Sequence, residues 1–233
     1  MHNDKSMIKI SKLSKSYYRE KIVDDLNLEI KKGTIFGFLG PNGAGKTTTI
    51  KMLVGISQPS GGEIEIADKN IQNCHEIIGF MPEDPYFYDH LTALEFMQYM
   101  RSLFTKQSEN IDTLLALVGL KKAKNQKIGQ FSKGMKQRLG LAQAIINDPE
   151  YLFLDEPLDG LDPIGRREFK EILLNLKKLG KTIFFNSHIL SDVEEICDQI
   201  GVINKGKLIY SGSVQKFRGK KSLEDAFVDK LTS

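Results

Sequence analysis

The chain has 233 residues, 40% hydrophobic and 27% charged, which is the make-up of an ordinary soluble protein with one domain, or one domain carrying an inserted subdomain. A net charge of +3, with cations and acids interleaved along the chain, is too mild to argue for nucleic acid, so no nucleic-acid partner is expected; a phosphate-rich small ligand suits it equally well. The two cysteines, Cys74 and Cys197, lie far apart without metal-ligand spacing and imply neither a disulfide framework nor a zinc site.

In chain order, the opening MHNDKSMIKI lacks the basic and apolar regions of a signal peptide, so no leader is expected. No apolar run approaches the roughly 18 residues of a membrane span. Any membrane role is therefore expected to run through another subunit. From Met7 to Leu39 apolar residues alternate through Ile8 and Ile10, then Leu26, Leu28 and Ile30, then TIFGFL after a KKG turn, and these predict strands. The segment GPNGAGKTT follows at 40–48, with Gly40, Gly45, Lys46 and Thr47 at the spacing of a phosphate loop between that strand and the helical TTTIKMLVGI. Such a loop curves successive backbone N–H groups around an oxyanion, the helix start adds a favourable dipole, Lys46 reaches the outer phosphates, and the Thr47 hydroxyl can bind magnesium. A plain glycine-rich turn is the alternative, and the strand and helix on either side argue against it.

A further strand, EIEIA, follows Gly61 and Gly62. Between about Asp84 and Asp148 the period becomes helical, opening with a capping box from Thr92 to Glu95 and with Phe96 placed to staple against Leu91. This predicts a helical insertion. Inside it, FSKGMKQRLG places the Ser132 hydroxyl and Gly134 around a helix start followed by cations, a second phosphate-binding arrangement in a chain that already has a better one. After Pro149, YLFL is an apolar strand ending in Asp155 and Glu156. Acids at the carboxyl edge of a parallel sheet can hold magnesium, through a water or the Thr47 shell, and polarise an attacking water. A helix from the N-cap Asp162 and Pro163 to Gly180, the strand TIFF, the helical SDVEEIC, a hairpin around NKGK and a short helix in SLEDAFVDKL complete the chain, the last with Leu223, Phe227 and Leu231 along one side. Strand, helix, strand implies a parallel sheet.

This ordered series resembles the nucleotide-binding subunits of ATP-binding cassette transporters, from about Ile8 to Gly212. In the terms of that family, GPNGAGKTT is the Walker A motif, FSKGMKQR the signature, YLFLDEP the Walker B motif, LDGLDP the D-loop and NSH the switch histidine. The resemblance implies an α/β P-loop NTPase of RecA-like type: a parallel-sheet core with an N-terminal antiparallel β-subdomain and an inserted α-helical subdomain. The core and β-subdomain would occupy 7–83 and 149–212, the signature subdomain 84–148 and a short tail 213–233. It implies ATP and Mg2+ as ligands. Nucleotide contacts would come from Gly40, Pro41, Asn42, Gly43, Ala44, Gly45, Lys46, Thr47 and Thr48, with Tyr17, or its neighbour Tyr18, stacking on adenine. Magnesium would be held by Thr47, Asp155 and Glu83, and hydrolysis carried by Glu156, His188 and Lys46.

The same resemblance answers why two phosphate arrangements occur. Ser132, Lys133, Gly134 and Met135 would face the γ-phosphate of ATP held by a second subunit, with Asp159 and Asp162 of the D-loop at the seam, so two chains related by a twofold axis complete two sites. The plain alternative for Ser132 is a helix N-cap. Three positions depart from the family pattern: Lys133 replaces the first signature glycine, reducing backbone freedom there, Met135 replaces the usual glutamine after the glycines, and Glu83 replaces the usual Q-loop glutamine, adding charge. SKGMKQR, GLDP, Glu83 and the short tail look like the ATPases of bacterial exporters for drugs, polysaccharides and lipids. A homodimer or an equivalent ATPase partner is expected, together with a membrane permease contacted near 84–104, where DPYFYDHLTALEF presents aromatics, and a peripheral place on the cytoplasmic face. Packing of Tyr86, Phe87 and Tyr88 within the subdomain is the competing reading. A soluble cassette ATPase serving assembly or translation, which typically has two cassettes or a long coiled coil, and a metabolite kinase, which needs no signature, are the other functional classes.

Overall fold

The computed structural model describes residues 6–104 and 110–232, so part of the expected helical insertion, at 105–109, lies outside the described residues. The first third contains strands β1 (Ser6–Tyr17), β2 (Glu20–Lys31) and β3 (Ile35–Leu39), helix α1 (Lys46–Leu53), and strands β4 (Gly61–Ile66) and β5 (Lys69–Asn70). Four of these strands form an antiparallel sheet in the order β2-β1-β4-β5. Its alternation is the expected one: Leu26, Leu28 and Ile30 of β2 point inward and their neighbours outward, while Val23, also buried, lies beyond an irregularity in the β1–β2 pairing.

Strand β6 (Ile78–Met81) leads into the helical segment with α2 (Ala93–Ser102), α3 (Ile111–Leu117) and α4 (Lys133–Ala144). Strands and helices then alternate as β7 (Tyr151–Asp155), α5 (Pro163–Lys178), β8 (Thr182–Ser187), α6 (Leu190–Ile196) and β9 (Gln199–Asn204). Strand β10 (Lys207–Ser213) and helices α7 (Val214–Arg218) and α8 (Leu223–Thr232) close the chain. The second sheet has the order β10-β9-β3-β8-β7-β6, parallel throughout except for the β9–β10 hairpin.

Strands β3, β7 and β8 are buried at every position because both faces of the second sheet are covered. Ile35, Leu152, Leu154, Ile183 and Phe185 enter a core shared with the helices, while Phe36, Phe38, Tyr151, Phe153 and Phe184 enter one shared with α1 and the antiparallel sheet. Phe184 stands at the centre of the second core, with ring centroids 5.4–5.8 Å from Phe36, Phe38 and Phe153. The capping box of α2 forms, with Glu95 N–H donating to Thr92 at 3.2 Å and Thr92 N–H donating to Glu95 at 2.8 Å.

Local chemistry departs from the sequence expectation in two places. Helix α1 stops at Leu53 rather than running through Ile56, because Gly55 turns the backbone to φ 76°. In the tail the short helix expected in SLEDAFVDKL forms as α8, with Ser222 accepting from Asp225 N–H at its start, and a further helix precedes it: Ser213 caps α7 and Gly219 at φ 58° ends it. Both cysteines are free and buried. Among the described residues, no helix is long and apolar enough to cross a membrane.

Candidate functional site

At the carboxyl end of β3 the chain turns through Gly40–Gly45 into α1 and opens a cleft of about 510 Å3. Two glycines make this turn possible. A Cβ on Gly40 would lie 2.4 Å from the Ile203 carbonyl oxygen; Gly45 has φ 105° and packs against the Ile22 carbonyl. Gly45 is also the N-cap of α1 and offers no side-chain cap, so the first-turn N–H groups keep their donor capacity at the cleft, an arrangement suited to an anion. Lys46 Nζ is buried and donates to Gly40 O at 2.8 Å and Pro41 O at 3.4 Å. Its charge therefore sits inside the turn.

Residues at the carboxyl ends of the adjacent parallel strands β7 and β8 build the opposite wall. Thr47 Oγ1 donates to Asp155 Oδ1 at 3.1 Å, and the same oxygen accepts from Asn186 Nδ2 at 2.5 Å. Glu156 stands in the left-handed region at φ 46°, a conformation that costs a non-glycine residue about 1 kcal/mol or more. It is held there because its N–H donates to Asn186 Oδ1 at 2.7 Å. The Glu156 carboxylate is nearly buried, with one oxygen 3.7 Å from Lys46 Nζ and the other accepting from His188 N–H at 3.3 Å and lying 2.9 Å from His188 Nδ1. A carboxylate can only accept, so in the neutral imidazole the proton is assigned to Nδ1 and Nε2 is the acceptor.

The acids around this cleft repel one another. Burial first, then the charges of Asp155, Glu156, Asp159 and Asp84, push the Glu83 carboxyl above its ordinary range. A raised carboxyl binds its proton more tightly in the folded chain than in the unfolded one. The folded state is thus penalised above the raised value, and the penalty disappears as pH falls below the unfolded value of about 4.3. Because Glu83 is exposed and its charge is screened by solvent, Glu83→Gln is expected to raise Tm only slightly near neutral pH, with the gain vanishing towards pH about 4. Thermal melts across that range test this, and a gain independent of pH contradicts it.

Among the described residues no three His, Cys, Asp or Glu side chains converge to hold a metal by themselves. The donor set is nonetheless all oxygen, a hydroxyl bonded to a carboxylate with a second carboxylate across the cleft, and it fits a hard cation that draws its remaining ligands from phosphate and water.

The sequence candidates separate into two places. Asn42, Gly43, Gly45, Lys46, Thr47, Thr48, Glu83, Glu156, Asp159 and His188 line the cleft; Gly40, Pro41 and Ala44 shape its turn, and Asp155 lies buried behind Thr47. Ser132, Lys133, Gly134, Met135 and Asp162 instead line a separate cavity of about 510 Å3. Ser132 does cap α4, accepting from Met135 N–H at 3.2 Å, and a hydroxyl in that role still has a proton to donate. Asp162 caps α5 through Gly165 N–H at 2.6 Å. Lys133 needs no glycine-like freedom, since it is the first residue of α4 with no positive φ.

Tyr17 is half exposed, lies under Lys15 Nζ at 5.0 Å and does not line the cleft; Tyr18 is fully exposed at φ 54°. Ile22, on the next strand, lines the cleft and was not among the candidates. Nor was Asn186, which holds both Walker B acids, although its register opposite Asp155 follows once β7 and β8 are paired. Gln137, buried in α4, donates to the Glu83 carbonyl at 3.1 Å and ties the signature helix to the Q-loop. In the aromatic segment Phe87 is buried against Phe96, while Tyr86 is 85% exposed and Tyr88 sits edge-on between Tyr86 and Tyr99. The packing reading therefore holds for Phe87 alone, and Tyr86 and Tyr88 stay at the surface.

Comparison with known proteins agrees with this geometry. The pattern of the family described as ABC transporter matches residues 23–159. The chain is 50% identical over 202 residues to an uncharacterized ABC transporter ATP-binding protein of Synechocystis, covering 83% of this chain and 57% of that relative. It is 47% identical over 210 residues to the bacitracin transport ATP-binding protein BcrA of Bacillus licheniformis (88% of this chain, 69% of the relative). It is 39% identical over 230 residues to the lantibiotic transport ATP-binding protein SrtF of Streptococcus pyogenes, covering 97% of each. A solved ATP-binding subunit of an ABC transporter superposes with a TM-score of 0.87 at 27% identity, over 98% of this chain and all of that one.

Proposed function

We propose, from the premise that this chain belongs to the ABC transporter family as an ATP-binding subunit, that it hydrolyses ATP in a twofold dimer and drives a separate membrane subunit in export. The observation carrying the proposal is the convergence on one cleft of Lys46, the Thr47–Asp155 pair and the Glu156–His188 pair.

In this reading the turn at Gly40–Gly45, the first N–H groups of α1 and Lys46 bind the phosphates, and Ile22 flanks the nucleotide. Thr47, Asp155 and Glu83 hold Mg2+, which when bound neutralises phosphate charge. Glu156 accepts a proton from the attacking water. His188, oriented by Glu156 through Nδ1, presents Nε2 as an acceptor towards that water or, when protonated, as a donor to the γ-phosphate. Ser132 and Gly134 of the partner close over the γ-phosphate. The nucleotide-binding core with its β-subdomain (7–83 and 149–212), the helical arm (84–148) and the tail act as one ATPase unit.

Export of drug-like or antibiotic-like compounds is favoured by the likeness to the bacitracin and lantibiotic transport proteins. The exposed Tyr86, Tyr88 and Tyr99 offer the membrane subunit an aromatic face, which would hold this chain at the cytoplasmic side of the membrane. Lys46→Ala is expected to lower both nucleotide affinity and hydrolysis at least tenfold, and the wild-type chain expressed with its native neighbours is expected to co-purify with a hydrophobic subunit. Full ATPase activity in Lys46→Ala overturns the phosphate-loop assignment; purification without any such subunit overturns the transport role.

A further inference from the structure

The three cations that follow Ser132 on α4 each reach an acid of the same chain. Lys133 pairs with Asp159 at 3.2 Å, Lys136 with Asp89 at 3.2 Å, and Arg138 with Glu168. The first of these crosses from one cavity to the other: Lys133 lines the cavity at the start of α4, whereas Asp159 lines the nucleotide cleft. Gly160 makes the crossing possible. Its φ is 65°, and a Cβ there would lie 2.0 Å from Lys133 Nζ, so only a glycine lets the amine rest against this turn. The turn itself begins at Glu156, whose carbonyl accepts from Asp159 N–H at 3.1 Å. A direct line therefore runs from Lys133 through Asp159 to the strained backbone of Glu156.

We propose that Lys133 is a positioning residue for hydrolysis, acting through Asp159 to fix the turn on which Glu156 stands, so that a phosphate entering one cavity of a chain is felt in the other. This rests on the two-cavity dimer proposed above. A phosphate arriving beside Ser132 and Gly134 competes with Asp159 for the Lys133 ammonium, because one cation one residue away cannot hold both anions at full strength. The pair is about half exposed, 51% and 38% for the two side chains, so its effect is moderate and screened by salt.

Steady-state ATP hydrolysis by the full chain tests this with Lys133→Met, Asp159→Asn, their combination, and Lys133→Arg. Each single neutral variant is expected to lower kcat about fivefold, with KM within about twofold and the Hill coefficient falling towards one. The combination is expected to fall no further than either single variant, since both remove one bond, and Lys133→Arg to stay near wild type. Unchanged kcat and Hill coefficient in Lys133→Met overturns the proposal. So does a combined loss near the product of the two, about 25-fold, accompanied by a raised KM, because Lys133 would then act on phosphate without Asp159. Failure of the dimer reading registers separately, as a wild-type Hill coefficient of one and no ATP-dependent dimer on a sizing column.

Discussion

Glu156→Gln is expected to reduce ATP hydrolysis by a factor of about 10³ while leaving ATP binding intact, and to accumulate a dimer that forms only with ATP. The substitution is close to isosteric, and the geometry says what survives it. The backbone N–H still donates to Asn186, so the left-handed residue stays in place, and the amide oxygen can still accept from His188 Nδ1. The capacity to take a proton from water is lost. One negative charge also leaves a cleft that already holds Glu83, Asp155 and Asp159 and must receive polyphosphate, so ATP affinity is expected to be equal or higher. With the γ-phosphate no longer removed, the closed pair persists. Size-exclusion chromatography with ATP and with ADP reads this out; a chain that remains monomeric with ATP, or that retains more than about a tenth of wild-type turnover, contradicts the assignment of Glu156.

What could be read from the residue order and what could not divide along a physical line. The glycine turn into α1, the acids ending β7, the capping box at Thr92 and the N-cap at Asp162 are local devices, each written within a few residues and each formed where its spacing predicts; at Ser132 the plain alternative, an N-cap, also forms. Asn186 is different. Its role depends on the register that sets it opposite Asp155 across 31 positions of sequence, and an asparagine ending an apolar strand carries no mark of that. Lys133 and Asp159 are likewise 26 positions apart and meet only because α4 and the D-loop pack on each other. The cations of KGMKQR suggest phosphate ligands, yet folding supplies each with an intramolecular acid first. The left-handed backbone at Glu156 has no sequence signal, because nothing in DEP asks for a positive φ; tertiary hydrogen bonds impose it.

Ser132→Arg is expected to stop turnover, by about 100-fold, while a single chain binds nucleotide within about twofold of wild type. Ser132 lies outside the nucleotide cleft and lines the second cavity, where an added Cβ on the neighbouring Gly134 would meet Leu161 at 3.5 Å, an ordinary contact. An arginine there loses the cap of α4, worth about 1 kcal/mol of stability, and fills the cavity into which the partner's phosphate would be received. Moving a pair from 1:99 open to 99:1 closed takes about 5.5 kcal/mol, a little under 3 per nucleotide, and a hydrogen bond to a charged group supplies about 1.5–3. Deleting one such bond at each of two sites therefore removes most of the closing free energy. A mixture makes the test sharper. Lys46→Ala lacks a working phosphate loop and Ser132→Arg a working signature, so each alone is inactive; a mixed pair joins the intact loop of one chain to the intact signature of the other. With random pairing, half the dimers are mixed and each has one good site of two, so activity is expected to recover to about a quarter of wild type. A mixture no more active than its parents, or a Ser132→Arg chain that turns over ATP at the wild-type rate, would mean that each chain closes over its nucleotide with its own groups alone.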